Sequence, residues 1–215
     1  MSKIDEIFRK LVRFKNGVTA DCMRNSGIFY ERNYGVPIID IKRIATEYFP
    51  NHELAKTLFL RKEREMKIAS AFIDNPNEIT CEQIDEWSKS FINTEITEKV
   101  CCNLFCKTPF ATQKIEEWSA SDNKFLLQAS WNLFSKISDA NFARNFLLKA
   151  AKSNFDFTNV QLAAIQALIS VSSKDETMKK DVLMYAENLI KSTNNNTKFV
   201  GDEVLAFLIF CVDLH

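Results

Sequence analysis

Apolar residues along this chain recur at three- and four-residue intervals, and nowhere do they alternate regularly with polar ones. Ile4, Ile7, Phe8, Leu11 and Val12 share one face of a helix over residues 3–14, which Asn16-Gly17 then breaks. Pro37 opens the next helix at a first-turn position, where its missing N–H costs nothing. Ile38, Ile41, Ile44, Ala45 and Tyr48 follow on one face. Pro50-Asn51-His52 ends that helix and leads into another over 54–60; a further one covers 62–73 and stops at Asp74-Asn75-Pro76-Asn77. Thr80…Gln83, Thr158…Gln161 and Ser173…Glu176 have the spacing of a capping box and predict three helix starts. Helical spacing also marks 95–105, 112–118, 122–137, 141–152 and 200–212. No segment reads as a strand.

The helices echo one another. Asn103-Leu104-Phe105-Cys106-Lys107 recurs as Asn132-Leu133-Phe134-Ser135-Lys136, an offset of 29. Residues 125–138 align with 160–173 at an offset of 35. Periods of this size suit helical-hairpin repeats of the HEAT or armadillo kind. Gly 4 and Pro 4 in 215 residues disfavour all-β and doubly wound folds, which need turn residues and glycine junctions. A hydrophobic share of 46% with 18 Phe supplies a substantial core. The expectation is an all-α, HEAT-like α-solenoid of helical hairpins with a concave face, as a single domain over 1–215.

Charge changes the picture through its distribution. The formal net charge is zero. Residues 1–73 carry 14 Lys and Arg against 9 Asp and Glu, while residues 74–122 carry 4 against 10. The basic first third is compatible with phosphate contact, the acidic middle with a protein partner. Arg64 and Lys67, with Ala71, fall on one helical stripe expected to be exposed, and Lys42-Arg43 projects similarly from the preceding helix. Such cations are either solvated faces or phosphate contacts.

The chemistry inventory is mainly exclusion. Two histidines, His52 and His215, leave no material for a Ser-His-Asp or Cys-His machine or a His-based metal site. No dinucleotide, phosphate-loop or zincin motif occurs. Cys101, Cys102 and Cys106 cluster on one helix without a CxxC, so they read as buried thiols. Trp87, Trp118 and Trp131 sit at helical spacing with Leu and Phe, which suits core packing. With no apolar export segment and no run near ~20 apolar residues, a cytoplasmic protein with reduced cysteines and no membrane contact is expected.

Several segments together resemble one family. Tyr34-Gly35-Val36-Pro37-Ile38 continues into Ile41-Lys42-Arg43-Ile44-Ala45-Thr46-Glu47-Tyr48. His52-Glu53-Leu54-Ala55, Arg64-Glu65-x-Lys67-Ile68, Ile73-Asp74-x-Pro76 and Gln83-x-Asp85-x-Trp87 follow in order. Val100-Cys101-x-Asn103-Leu104-Phe105-x-Lys107-Thr108-Pro109 and Glu117-Trp118 complete the series. In this order they are similar to the AlkD-like DNA alkylation repair proteins, over about residues 10–170.

That resemblance implies a HEAT-like solenoid whose concave basic face cradles duplex DNA. Its active members are glycosylases that release N3- and N7-alkylated purines. They use an Asp, two Trp packed on the deoxyribose and an Arg near the phosphates, without flipping the base. Here the Trp-x-x-x-Asp pattern falls on Thr94…Glu98, the Arg on Gln128 and the second Trp on Gln166. Glu98 is thus the candidate catalytic residue that the resemblance leaves, or else an ordinary solvated glutamate. Lys42, Arg43, Arg64, Lys67 and Lys107 are the candidate DNA contacts. The expected partner is duplex DNA, alkylated or not, bound by a monomer without metal or cofactor, with base release feeble or absent. The alternative is an inactive HEAT-type scaffold that binds DNA structures or a protein.

Overall fold

Every helix that the sequence predicts forms in the computed structural model, which describes residues 2–150 and 153–210. Lys152, residues 211–212 and His215, all named above, lie outside the described residues. Among the described residues the sole strand-type pairing is an isolated bridge between Arg32 and Glu63. No helix there is long and apolar enough to cross a membrane.

The chain divides into two compact units, Met1–Pro109 and Phe110–His215. The first holds α1 (Lys3–Val12), α2 (Gly17–Asn25), α3 (Ile38–Thr46), α4 (His52–Phe59), α5 (Arg64–Ile73), α6 (Cys81–Ser88) and α7 (Thr94–Asn103), then a 3-10 turn over Phe105–Lys107. The second holds α8 (Ala111–Ser119), α9 (Lys124–Phe134), α10 (Ala140–Ala150), α11 (Thr158–Ser172), α12 (Glu176–Leu189) and α13 (Asn195–Phe210).

Packing follows a simple rule inside each unit. Helices meet the next in the chain (α4 with α5, α8 with α9, α11 with α12, α12 with α13) and the next but one. Thus α1, α3, α5 and α7 form one row in the first unit, and α9, α11 and α13 form one in the second, where α10 and α12 pair likewise. Two-layer stacking of hairpins is what a helical repeat produces when no single hairpin can bury its own apolar face. Hydrogen bonds step from repeat to repeat at nearly constant sequence distance. In the first unit Arg64 reaches Glu95, and Arg32 reaches Glu63, both 31 residues on. In the second, Tyr185 donates to Ala150 O and Ser170 to Ser135 O, both 35 residues back.

Aromatic side chains fill the cores. Phe59 stacks on Trp87 at 3.9 Å between ring centroids. In the second unit Trp131 contacts Phe134, Phe146, Phe155 and Tyr185. Trp87, Trp118 and Trp131 are all buried, as their spacing predicts. So is Cys101, whose thiol burial holds above its usual range; Cys102 and Cys106 are half-buried.

Two of the three predicted caps shift. Thr80 does accept from the Gln83 N–H. Thr158, however, already lies inside α11, and Ser173 follows the last residue of α11 as its C-cap rather than opening α12. Asp175 caps α12 instead, accepting from the Met178 N–H at 2.8 Å, since a carboxylate there also favours the positive helix end. One helix, α2, is absent from the predicted set. Its nine residues bury only Ala20, so no apolar stripe announces it.

Candidate nucleic-acid interface

The segment joining α2 to α3 is held in place by buried charge. Tyr34-Gly35-Val36 runs beside the start of α5, where the Tyr34 and Val36 N–H groups donate to Glu65 Oε1 at 3.1 and 3.3 Å. Gly35 has φ +66°, and a Cβ there would lie 2.0 Å from Asn16 O. Only glycine allows this approach.

Arg64 is the first residue of α5, and its side chain turns inward. It donates from Nη2 and Nε to the two oxygens of Glu95 at 2.7 and 2.8 Å, and from Nη1 to Val36 O at 2.9 Å. Tyr30 Oη donates to the same Glu95 carboxylate, and burial followed by that charge holds its hydroxyl well above the usual range. The exposed stripe expected of Arg64 and Lys67 therefore does not form: Arg64 is 2% exposed and Ala71 is buried. Lys67 is half-buried, donating from Nζ to Phe59 O at 2.7 Å and lying 4.7 Å from the centre of that ring. It thereby satisfies a carbonyl at the end of α4. Burial holds its ammonium below the usual lysine range.

Lys42 and Lys107 behave differently. Both are exposed and neither has an ion-pair partner, unlike most cations of this unit. They meet at one cleft of about 250 Å³, with Thr46, Phe49, Asp74 and Asn103 among its lining residues. Asp74 is buried and fully engaged, with His52 Nδ1 at 2.7 Å and Gln83 Nε2 donating at 2.9 Å. Burial holds its carboxyl above the usual range against those bonds. Arg43 is exposed beside this cleft's Lys42, pairing with Asp40 at 3.0 Å and lying over the Phe14 ring. No sequence signal separates Lys42 and Lys107 from other exposed cations without an ion pair, such as Arg13 and Lys15, because what distinguishes them is the cleft they share.

Glu98 sits one turn beyond Thr94 on α7. Its carboxylate is 46% exposed and pairs with Lys99 Nζ at 2.6 Å. Gln128 and Gln166 belong to the second unit: Gln128 is buried and accepts from Asn159 Nδ2 at 3.0 Å, while Gln166 is exposed. Among the described residues no three His, Cys, Asp or Glu side chains are grouped to hold a metal ion.

Residues 7–177 match the family of DNA alkylation repair enzymes. The chain belongs to that family. This DNA alkylation repair family member is 27% identical over 165 residues to an uncharacterized protein of Listeria monocytogenes, covering 74% of this chain and 73% of the relative. It is 26% identical over 141 residues to an uncharacterized protein of Listeria innocua, covering 63% and 62%. A solved structure superposes with a TM-score of 0.73 over 93% of both chains at 16% identity. That structure represents a family related to the HEAT-like repeat DNA glycosylases with affinity for branched DNA structures. The likeness establishes the HEAT-like fold, as the sequence led one to expect.

Proposed function

We propose that this alkylation repair family member binds DNA through backbone phosphates, with branched DNA among its targets, and releases alkylated bases feebly or not at all. The observation that carries the reading is the pair of unpartnered cations, Lys42 and Lys107, at one cleft. Surface cations already paired with carboxylates gain little by exchanging one anion for another, whereas these two offer their full charge to a phosphate. Arg43 adds a third exposed cation. Arg64 and Lys67 contribute by fixing the backbone around them. The affinity of the structural relative for branched DNA supports the choice of target.

Glu98 supports the second half. Stabilising a cationic sugar requires a fixed, desolvated carboxylate. Glu98 is nearly half exposed and already neutralised by Lys99. The binding test is fluorescence anisotropy of labelled duplex and four-way-junction DNA across a salt series. Lys42→Ala/Lys107→Ala should flatten the slope of log affinity against log salt by about two, at roughly 0.9 per phosphate contact. If the wild-type protein binds neither DNA at low salt, the reading fails. A protein-binding scaffold then takes its place, favoured by the apolar cleft of about 320 Å³ between α10 and α12, where Leu148 and Met184 are exposed.

A further inference from the structure

Two arginines 29 positions apart reach the same buried carboxylate at the turn between α4 and α5. Glu63 is 2% exposed. It accepts from Arg61 Nε at 3.2 Å and Nη2 at 3.3 Å, and from Arg32 Nη1 at 3.2 Å. The backbone fixes both partners: the Arg32 N–H donates to Lys62 O at 3.3 Å and the Arg64 N–H to Arg32 O at 2.8 Å, while the Arg61 N–H donates to Leu58 O at 3.0 Å. Glu63 therefore holds two arginines whose side chains remain 57% and 46% exposed. Arg32 keeps Nε and Nη2, and Arg61 keeps Nη1, uncommitted within the protein. Together with Lys62 and Leu60 they line a cleft of about 240 Å³.

Leu60 is the odd member of this group. It is 79% exposed, although Leu58 and Phe59 immediately before it are buried. It is also the residue that ends α4 in helical conformation, so its outward position is set by the helix rather than by a slack loop.

Arginine forks with free N–H groups match the paired oxygens of a phosphodiester, and two of them on one cleft make a seat for it. The three cations Arg32, Arg61 and Lys62 face two carboxylates, Glu63 and Glu31, leaving an excess of positive charge. The cleft is smaller than the ~300–1,000 Å³ of small-molecule sites, which suits a phosphate belonging to a longer chain better than an enclosed metabolite. A leucine standing in water beside that seat finds no partner on an intact duplex, whose base faces are stacked. Proteins that do insert such apolar wedges must first unstack a base step. At a branch point that unstacking has already happened.

We propose that Arg32 and Arg61 seat a phosphodiester at a DNA branch point and that Leu60 packs against the unstacked base face beside it, with Glu63 as the positioning residue. This rests on the DNA-binding reading above and adds the source of any preference for branches. The test compares a labelled four-way junction with a linear duplex of the same arm sequence, using the full chain. Leu60→Ser alters only an exposed side chain, and thermal melting confirms that the variant is folded. It should weaken junction binding about fivefold or more while leaving duplex binding within about twofold. Arg32→Ala/Arg61→Ala should weaken junction binding about tenfold or more and lower its salt slope by about two. Equal loss on both DNAs, or wild-type binding by both variants, overturns the proposal. If Lys42→Ala/Lys107→Ala weakens both DNAs while these variants bind normally, DNA binding stands and the branch seat falls. Absence of any wild-type binding removes both.

Discussion

Replacing Glu95 by Gln should destabilise the first unit by an amount that the geometry bounds. The carboxylate receives two Arg64 N–H groups and the Tyr30 hydroxyl, and its side chain is 11% exposed. Removing one partner of a buried pair costs about 3–5 kcal/mol, because the remaining charge is left without compensation. Here Arg64 keeps Glu65 Oε1 at 3.1 Å and Val36 O, and the glutamine oxygen can still accept one bond. Those residual contacts bring the expected loss down to about 2–3 kcal/mol. With an m-value of about 2 kcal/mol/M, the urea midpoint should fall by about 1–1.5 M. Arg64→Met placed on top of Glu95→Gln removes the stranded charge. The double variant should therefore be more stable than the sum of the two single losses by about 2 kcal/mol. A Glu95→Gln midpoint within about 0.3 M of wild type, or strict additivity in the double variant, would refute the idea that this pair carries the α5–α7 contact.

Gly35→Ala should cost about 3 kcal/mol or more, seen as a lowered melting temperature, because it combines a positive φ with a backbone clash against Asn16. A melting temperature equal to wild type would mean that the Tyr34-Gly35-Val36 turn moves freely. Release of 7-methylguanine and 3-methyladenine from alkylated duplex should be near background for wild type and unchanged in Glu98→Gln. Robust release that collapses in Glu98→Gln would show that Glu98 works despite its exposure.

Helix positions were legible because each needs only its own residues: Ile38, Ile41, Ile44 and Ala45 declare one face whatever lies opposite. Local periodicity could not say what a polar residue meets across the next repeat. Arg64 reads as a surface cation on a helical wheel, and only the fold brings Glu95 to it. Lys67 follows the same course, its partner being a backbone carbonyl that no side-chain pattern encodes. The shortfall at α2 has another cause. That helix is capped by Asn16, which accepts from the Thr19 N–H, yet it buries almost nothing and so carries no apolar period. The echo of residues 125–138 in 160–173 proved the sounder guide, since the Ser135–Ser170 bond joins equivalent positions.

The bonds that step between repeats also govern how such a chain can change length. In the first unit they span 31 residues, and in the second three of them span 35: Lys124 to Asn159, Ser135 to Ser170, and Ala150 to Tyr185. The helices between the bonded positions account for the change: α5 and α6 have 10 and 8 residues between Arg64 and Glu95, whereas α9 and α10 have 11 each between Lys124 and Asn159. The difference of four is close to the 3.6 residues of one helical turn. One extra residue inside a helix would swing every later side chain by about 100° and point its donor away from the waiting acceptor. A whole turn returns it to nearly the same face. A repeat that lengthens by about one whole turn thereby keeps such bonds in register, and a single-residue change is absorbed most easily in joints such as residues 75–77, where no face has to be kept.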